Sequence, residues 1–245
     1  MYEVKDLTGE KAIETVDEGL RQYMIKIFNY MGLGLCITAF AAWLVVNTPL
    51  LGMMYNVNEE ARTVSLSAIG WIVLLAPLFM VFGFNAILMK ASASAARWMF
   101  FAFSFLMGMS CANILWSYSG ESITRVFLIT AATFSGMGLY GYTTKRDLTG
   151  IGSFMYMGLW GVIIASIVNI FMHSTGLYYA ISYISVAVFV GLTAYDMQKL
   201  KSLYYGVSGD EEARNKIAIS GALNLYLDFI NLFLSLLRLL GGDRR

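Results

Sequence analysis

Residues 217–237 read IAISGALNLYLDFINLFLSLL, twenty-one positions with a single charge, Asp228. A run of that length spans the ~30 Å hydrocarbon core of a bilayer as a helix, which satisfies every backbone group internally. Gly221, Asn224, Asp228, Asn231 and Ser235 recur at spacings of three and four and share one helical stripe. A polar stripe on an apolar helix must face a bundle interior or water, because lipid would strand its hydrogen-bonding groups. The segment therefore predicts a transmembrane helix packed inside other helices.

The rest of the chain agrees. Of 245 residues, 58% are hydrophobic and 13% charged, where soluble domains carry about a quarter charged. Six further apolar segments approach or exceed spanning length, near Tyr23–Val46, Val64–Met89, Trp98–Tyr118, Val126–Tyr142, Ile151–Met172 and Leu177–Tyr195. The expectation is an all-α polytopic membrane protein of seven helices. It divides into a polar tail at 1–22, a membrane domain at 23–240 and a short tail at 241–245. The first 22 residues lack the order of a signal peptide. The net charge of +1 offers nothing to nucleic acid. Cys36 and Cys111 sit in apolar runs without metal or redox spacing.

Lysine and arginine set the orientation. Arg21, Lys26, Lys90, Arg97, Lys145, Arg146, Lys199, Lys201, Arg214 and Lys216 fall on the N-terminal side, ten against the five of Arg62, Arg125, Arg238, Arg244 and Arg245. The excess predicts a cytoplasmic N-terminus and, with seven crossings, an external C-terminus. The basic tail pulls the other way, and a re-entrant last segment would return it to the cytoplasm. Two stretches, 140–148 and 194–201, end spans with tyrosines followed by basic residues, the pattern of an interfacial aromatic belt beside cytoplasmic charge. Gly32, Gly34, Gly136, Gly138, Gly158 and Gly161 suit close helix approach in lipid, and Pro77 predicts a kink in the second span.

Function turns on Asp196 and Asp228. Carboxylates in such apolar surroundings most often handle protons or cations, and consecutive spans tend to be neighbours. Asp196 alone has a blander use, pairing with Lys199 or Lys201 at the interface. Depth is the difficulty: Asp228 lies 11 residues beyond Ile217, about 16 Å along a helix, whereas Asp196 lies about one turn from its basic edge. Should they meet in a poorly hydrated site, the two cannot comfortably both ionise and would share a proton. Ca2+ and H+ would then compete for the same oxygens, with amide oxygens of Asn224 and Asn231 and the Ser235 hydroxyl in support. Lys90 and Arg97 are candidate counter-charges. His173, Glu121 and Arg125 read as span-end residues.

At 140–150 (YGYTTKRDLTG), 189–201 (FVGLTAYDMQKLK) and 221–241 (GALNLYLDFINLFLSLLRLLG) the chain resembles the Bax inhibitor-1 family, in its bacterial inner-membrane branch, from about Arg21 to the C-terminus. The resemblance implies seven helices with the last one central. It also implies a pH-sensitive Ca2+ leak gated by aspartates on the last two helices, matched here by Asp196 and Asp228. Ca2+ would be a transported ion rather than a cofactor, with lipid, Ca2+ and H+ as partners. Members are also described as binding other membrane proteins, including a membrane-anchored protease in bacteria. Hence an alternative is a membrane-embedded regulator without transport. One departure stands out, because the second span carries no basic residue before Lys90 to face the aspartates. An aspartyl protease is the remaining alternative, disfavoured because Leu225, Tyr226 and Leu227 replace the GxGD pattern before Asp228; no enzyme is expected.

Overall fold

The computed structural model describes the backbone of residues 3–58, 63–207 and 210–242, with side chains from residue 18 onward except 57–64 and 85–89. Arg62, Arg244, Arg245 and the charged side chains of the first 17 residues, all used above, lie outside the described residues. The elements are α1 (Glu3–Val46), α2 (Leu50–Met54), β1 (Tyr55–Asn58), β2 (Thr63–Leu66), α3 (Ala68–Lys90), α4 (Ala93–Ser110), α5 (Ala112–Ser117), α6 (Gly120–Thr143), α7 (Thr149–Met172), α8 (Thr175–Gly206) and α9 (Glu211–Leu240). The protein is an all-α polytopic membrane protein. Six helical stretches among the described residues are long and apolar enough to cross a bilayer. α3 has 23 residues, apolar over Ala68–Phe84, and runs unbroken through Pro77.

Two segments differ from expectation. The second was placed from Val64, but Thr63–Leu66 pairs antiparallel with Tyr55–Asn58, Tyr55 facing Leu66 and Asn58 facing Thr63. Val57, Thr63 and Val64 are β-branched and suit a strand, so a hairpin precedes α3. The third, expected as one helix, is divided at Cys111 into α4 and α5. The backbone of the polar N-terminal stretch is helical and continuous with the first span.

Short connections are held by capping. The side chains of Ser92, Ser119, Ser174 and Asp210 accept from Ala95, Ser122, Leu177 and Ala213 backbone N–H at the starts of α4, α6, α8 and α9, satisfying donors that lack an intrahelical partner. His173 ends α7 in the left-handed conformation, φ 49°, its N–H donating to Asn169 O. It is thus the hinge of the α7–α8 turn.

α9 forms the centre. In its most apolar window 61% of residues are buried, against none in α7. It packs on α8, α1, α6, α4 and α3, while α7 packs on α8. Tyr226, Leu225, Leu232 and Leu237 of α9 are wholly enclosed with Phe100, Phe103 and Ile27. Backbones approach closely between α6 and α8, where a Cβ on Gly141 would strike the Ala194 carbonyl, and between α4 and α1, where one on Gly108 would strike that of Thr38. Gly34 and Gly158 are tight as expected, but Gly32, Gly136 and Gly161 face open space.

The two ends of the bundle are distinct. At one, Lys26 Nζ donates to Asn215 Oδ1 at 2.6 Å, tying the start of the first span to the start of α9. At the other, Arg125 donates to Leu240 O and Gly242 N–H to Ser122 Oγ. α9 is one continuous helix of 30 residues, with no re-entrant break, and its two ends lie at opposite ends of the bundle.

Candidate functional site

α8 and α9 are antiparallel, joined through residues 207–210. Their register is set where Gly221 leaves room for Leu200, whose side chain a Cβ there would overlap. Counting back from that contact brings Asp196 level with Leu225, which puts Asp228 three residues deeper, about 4.5 Å along the axis. The depth gap feared from span boundaries is therefore about one turn, because α8 extends past its apolar stretch to Gly206 and α9 begins at Glu211.

Both carboxylates are enclosed, Asp196 4% and Asp228 5% exposed. The Tyr156 hydroxyl, on α7, donates to Asp196 Oδ1 at 3.5 Å. Lys199 is in electrostatic range of Asp196, yet its ammonium stands 5.8 Å over the Tyr195 ring. Among the described residues the ion pairs are Arg21–Glu18 and Lys216–Glu212, neither involving the aspartates. Asp228 Oδ2 is buried and has no hydrogen-bond partner among the described residues. Leaving such an atom unmatched costs several kcal/mol if it is charged, so burial there disfavours the ionised form.

A cavity of about 580 Å3 opens from the Lys26–Asn215 end as far as Asp196 and Asn224, its wall also including Lys199, Asp210, Glu212 and Lys216 but not Asp228. Asn224 is thus the one amide of the polar stripe that opens onto the cavity. Asn231 Nδ2 donates to Leu227 O at 2.8 Å and Ser235 Oγ to Asn231 O at 2.7 Å, both within α9 itself. The expected counter-charges are elsewhere: Lys90 is exposed at the end of α3, and exposed Arg97 lies 5.8 Å over Tyr30. Lys199 and Lys216 are the cations that line the cavity.

Beyond Asp228 the helix is sealed. Phe229 packs edge-on to Phe127 and Phe134, and Phe127 also meets Phe233. On the opposite face of α9, two residues and about 200° away from Asp228, the Tyr226 hydroxyl lies 2.6 Å from that of Thr38. Thr38 in turn donates to Gly34 O and Ser104 O, each at 2.9 Å. Tyr156, Thr38, Ser104 and Tyr226 did not emerge from the sequence. Each is a hydroxyl in an apolar span, but lone hydroxyls in lipid usually bond back to their own helix, and nothing in the sequence separates these from the rest.

Over residues 20–245 the chain matches the family described as Inhibitor of apoptosis-promoting Bax1. It belongs to the Bax inhibitor-1 family. The match begins one residue before Arg21, so the family portion takes in all the spans. Inner membrane protein YbhL of Escherichia coli is 43% identical over 92% of this chain and 94% of its own length. An uncharacterized protein of Rickettsia prowazekii is 43% identical over 98% of both chains, and one of Caulobacter vibrioides 37% identical over 98% of this chain and 96% of its own. In this family member the three stretches that carried the resemblance converge: 189–201 and 221–241 hold the two aspartates, and 140–150 closes against the end of α8.

Proposed function

We propose that the protein is a proton-modulated cation leak with Ca2+ as cargo, controlled by Asp196 and Asp228. The observation that carries this reading is the orphaned, enclosed Oδ2 of Asp228, about one turn deeper than Asp196, the carboxylate that lines an open cavity. Ca2+ takes six to eight oxygens. Two carboxylates and the Asn224 amide supply only part of that shell, and among the described residues no cluster of three or more His, Cys, Asp or Glu occurs. Such a site favours transit with water completing the shell over tight residence. Protons compete for the same oxygens, while the Phe127–Phe134–Phe229 seal must part for an ion to pass.

The placement follows from charge. Arg21, Lys26, Lys90, Arg97, Lys145, Arg146, Lys199, Lys201, Arg214 and Lys216 sit at the end where the cavity opens, which supports a cytoplasmic location for that end and an external one for the end of α9. YbhL, by its name an inner membrane protein, supports the same membrane here.

Reconstitution in Ca2+-free liposomes tests this. Ca2+ entry should vary with pH in the wild type and lose that dependence in Asp228→Asn. Equal, pH-independent flux in both proteins rejects the reading. Silent liposomes together with a stoichiometric cross-linked partner in native membranes would favour the regulator instead.

A further inference from the structure

The two Tyr-then-basic stretches, far apart in sequence, meet at the end of the bundle where α6 finishes and α7 begins. Gln198 on α8 fastens them: its Oε1 accepts from Leu148 N–H and its Nε2 donates to Arg146 O, each at 2.8 Å. Lys201 adds a third tie by donating to Tyr142 O at 3.1 Å. The clamp holds the α6–α7 loop away from α8 just enough to leave a cavity of about 450 Å3, lined by Lys145, Arg146 and Lys199 with the hydroxyls of Thr149 and Ser202.

One carboxylate, Asp147, shares the wall, but it is already engaged. Its Oδ1 accepts from Thr149 N–H at 2.9 Å and from Thr149 Oγ1 at 2.6 Å. Three cations against one carboxylate leave two positive charges, and among the described residues no ion pair neutralises any of the three. The Thr149 and Ser202 hydroxyls already donate, to Asp147 Oδ1 and Lys199 O, so the free donors are the two ammonium groups and the guanidinium, which in a loop fixed from behind match a group with several anionic oxygens. Basic pockets at this side of a membrane face lipid headgroups as well as solutes.

We propose that this cavity binds a phosphate-bearing anion. Lys199 lines both this cavity and the one leading to Asp196. A bound phosphate would occupy the charge that stands beside the carboxylate and ease cation entry; this second consequence rests on the ion-leak reading, whereas the binding itself does not.

Binding is measured on the purified full chain in neutral detergent, by native mass spectrometry and by the thermal unfolding midpoint. One arm adds phosphatidylglycerol, one inorganic phosphate, and phosphatidylcholine serves as the neutral reference. An adduct and a raised midpoint with phosphatidylglycerol alone support the site and identify a lipid headgroup; the same with inorganic phosphate supports it and identifies a free anion. Lys145→Gln with Arg146→Gln should weaken either by roughly tenfold or more, as expected when charge-assisted bonds are removed. Arg97→Gln, an exposed cation at the same end outside the cavity, should not. Should the double variant fail to fold, Lys145→Gln alone must weaken binding. Absence of any adduct and shift in both arms, or equal binding by the variants, overturns the proposal. Because neither readout uses flux, silent liposomes would sink the leak and leave this site standing.

Discussion

Tyr226 and Thr38 join hydroxyls at 2.6 Å across the core, on the face of α9 turned away from Asp228. One helix thus carries two polar features with opposite duties. Its Tyr226 side is hydrogen-bonded and anchors α9 to α1 and α4, while on its Asp228 side a buried carboxylate oxygen has no partner among the described residues. Anchoring one face lets the other keep a costly carboxylate in place.

Tyr226→Phe should lower stability by about 1 kcal/mol, the usual net worth of a buried hydrogen bond, because Thr38 keeps its bonds to Gly34 O and Ser104 O. Thr38→Val should lose more, since it removes all three. Thermal unfolding in detergent compares them, and a double-mutant cycle should show coupling between the two sites. Additive losses would mean the hydroxyls do not interact.

At Gly141, addition of even a methyl group meets backbone rather than a flexible side chain. Gly141→Val should therefore force α6 and α8 apart and destabilise the fold by about 1–3 kcal/mol or more. Gly136→Ala, in open space on the same helix, should leave the unfolding midpoint almost unchanged.

If the proposed ion site is correct, Asp228 and Tyr156 should differ in their effect on flux. Asp228→Asn neutralises the enclosed group that has an orphaned oxygen, and should abolish pH dependence of Ca2+ flux. Tyr156→Phe removes the hydroxyl that donates to Asp196 while leaving both carboxylates, and should retain pH-dependent flux with a displaced midpoint. A flux profile identical to wild type for Tyr156→Phe would remove that tyrosine from the site.

In the exposed α6–α7 loop, hydrogen bonds from the Thr149 hydroxyl and backbone N–H hold the Asp147 carboxyl below its ordinary value of 3.8. A depressed folded-state value contributes stability that is complete above the unfolded value and is lost as pH falls through the folded one. Protection of the amides of residues 147–150, taken relative to their intrinsic exchange rate at each pH, should accordingly fall only below about pH 4 in the wild type. Asp147→Asn should remove that acid step.

Much of the architecture was legible because lipid demands it. Apolar length located the spans, and the polar stripe on the last segment required an interior position, where α9 is found. Boundaries suffered where a local preference overrode hydropathy: the β-branched residues around Val64 pair as a hairpin, and α8 and α9 continue as helix well outside their apolar stretches. That second error produced the apparent mismatch in depth between Asp196 and Asp228. Counter-charges were misplaced for a related reason. Lys199, one turn from Asp196, was legible as its neighbour, but only the α8–α9 packing brings Lys216 to the same cavity wall.

Composition and periodicity alone determined that the chain is a helical membrane bundle whose last helix is internal and whose two unusual aspartates belong to consecutive spans, because an unpaired polar group in hydrocarbon is too unfavourable to permit another arrangement. Tertiary structure decided what those groups face. Which hydroxyl reaches Asp196, which oxygen of Asp228 stays unmatched, and how residues 140–150 close on the end of α8 depend on helix register and rotation. A shift of one residue turns a helical side chain by about 100°, and hydropathy does not record that angle.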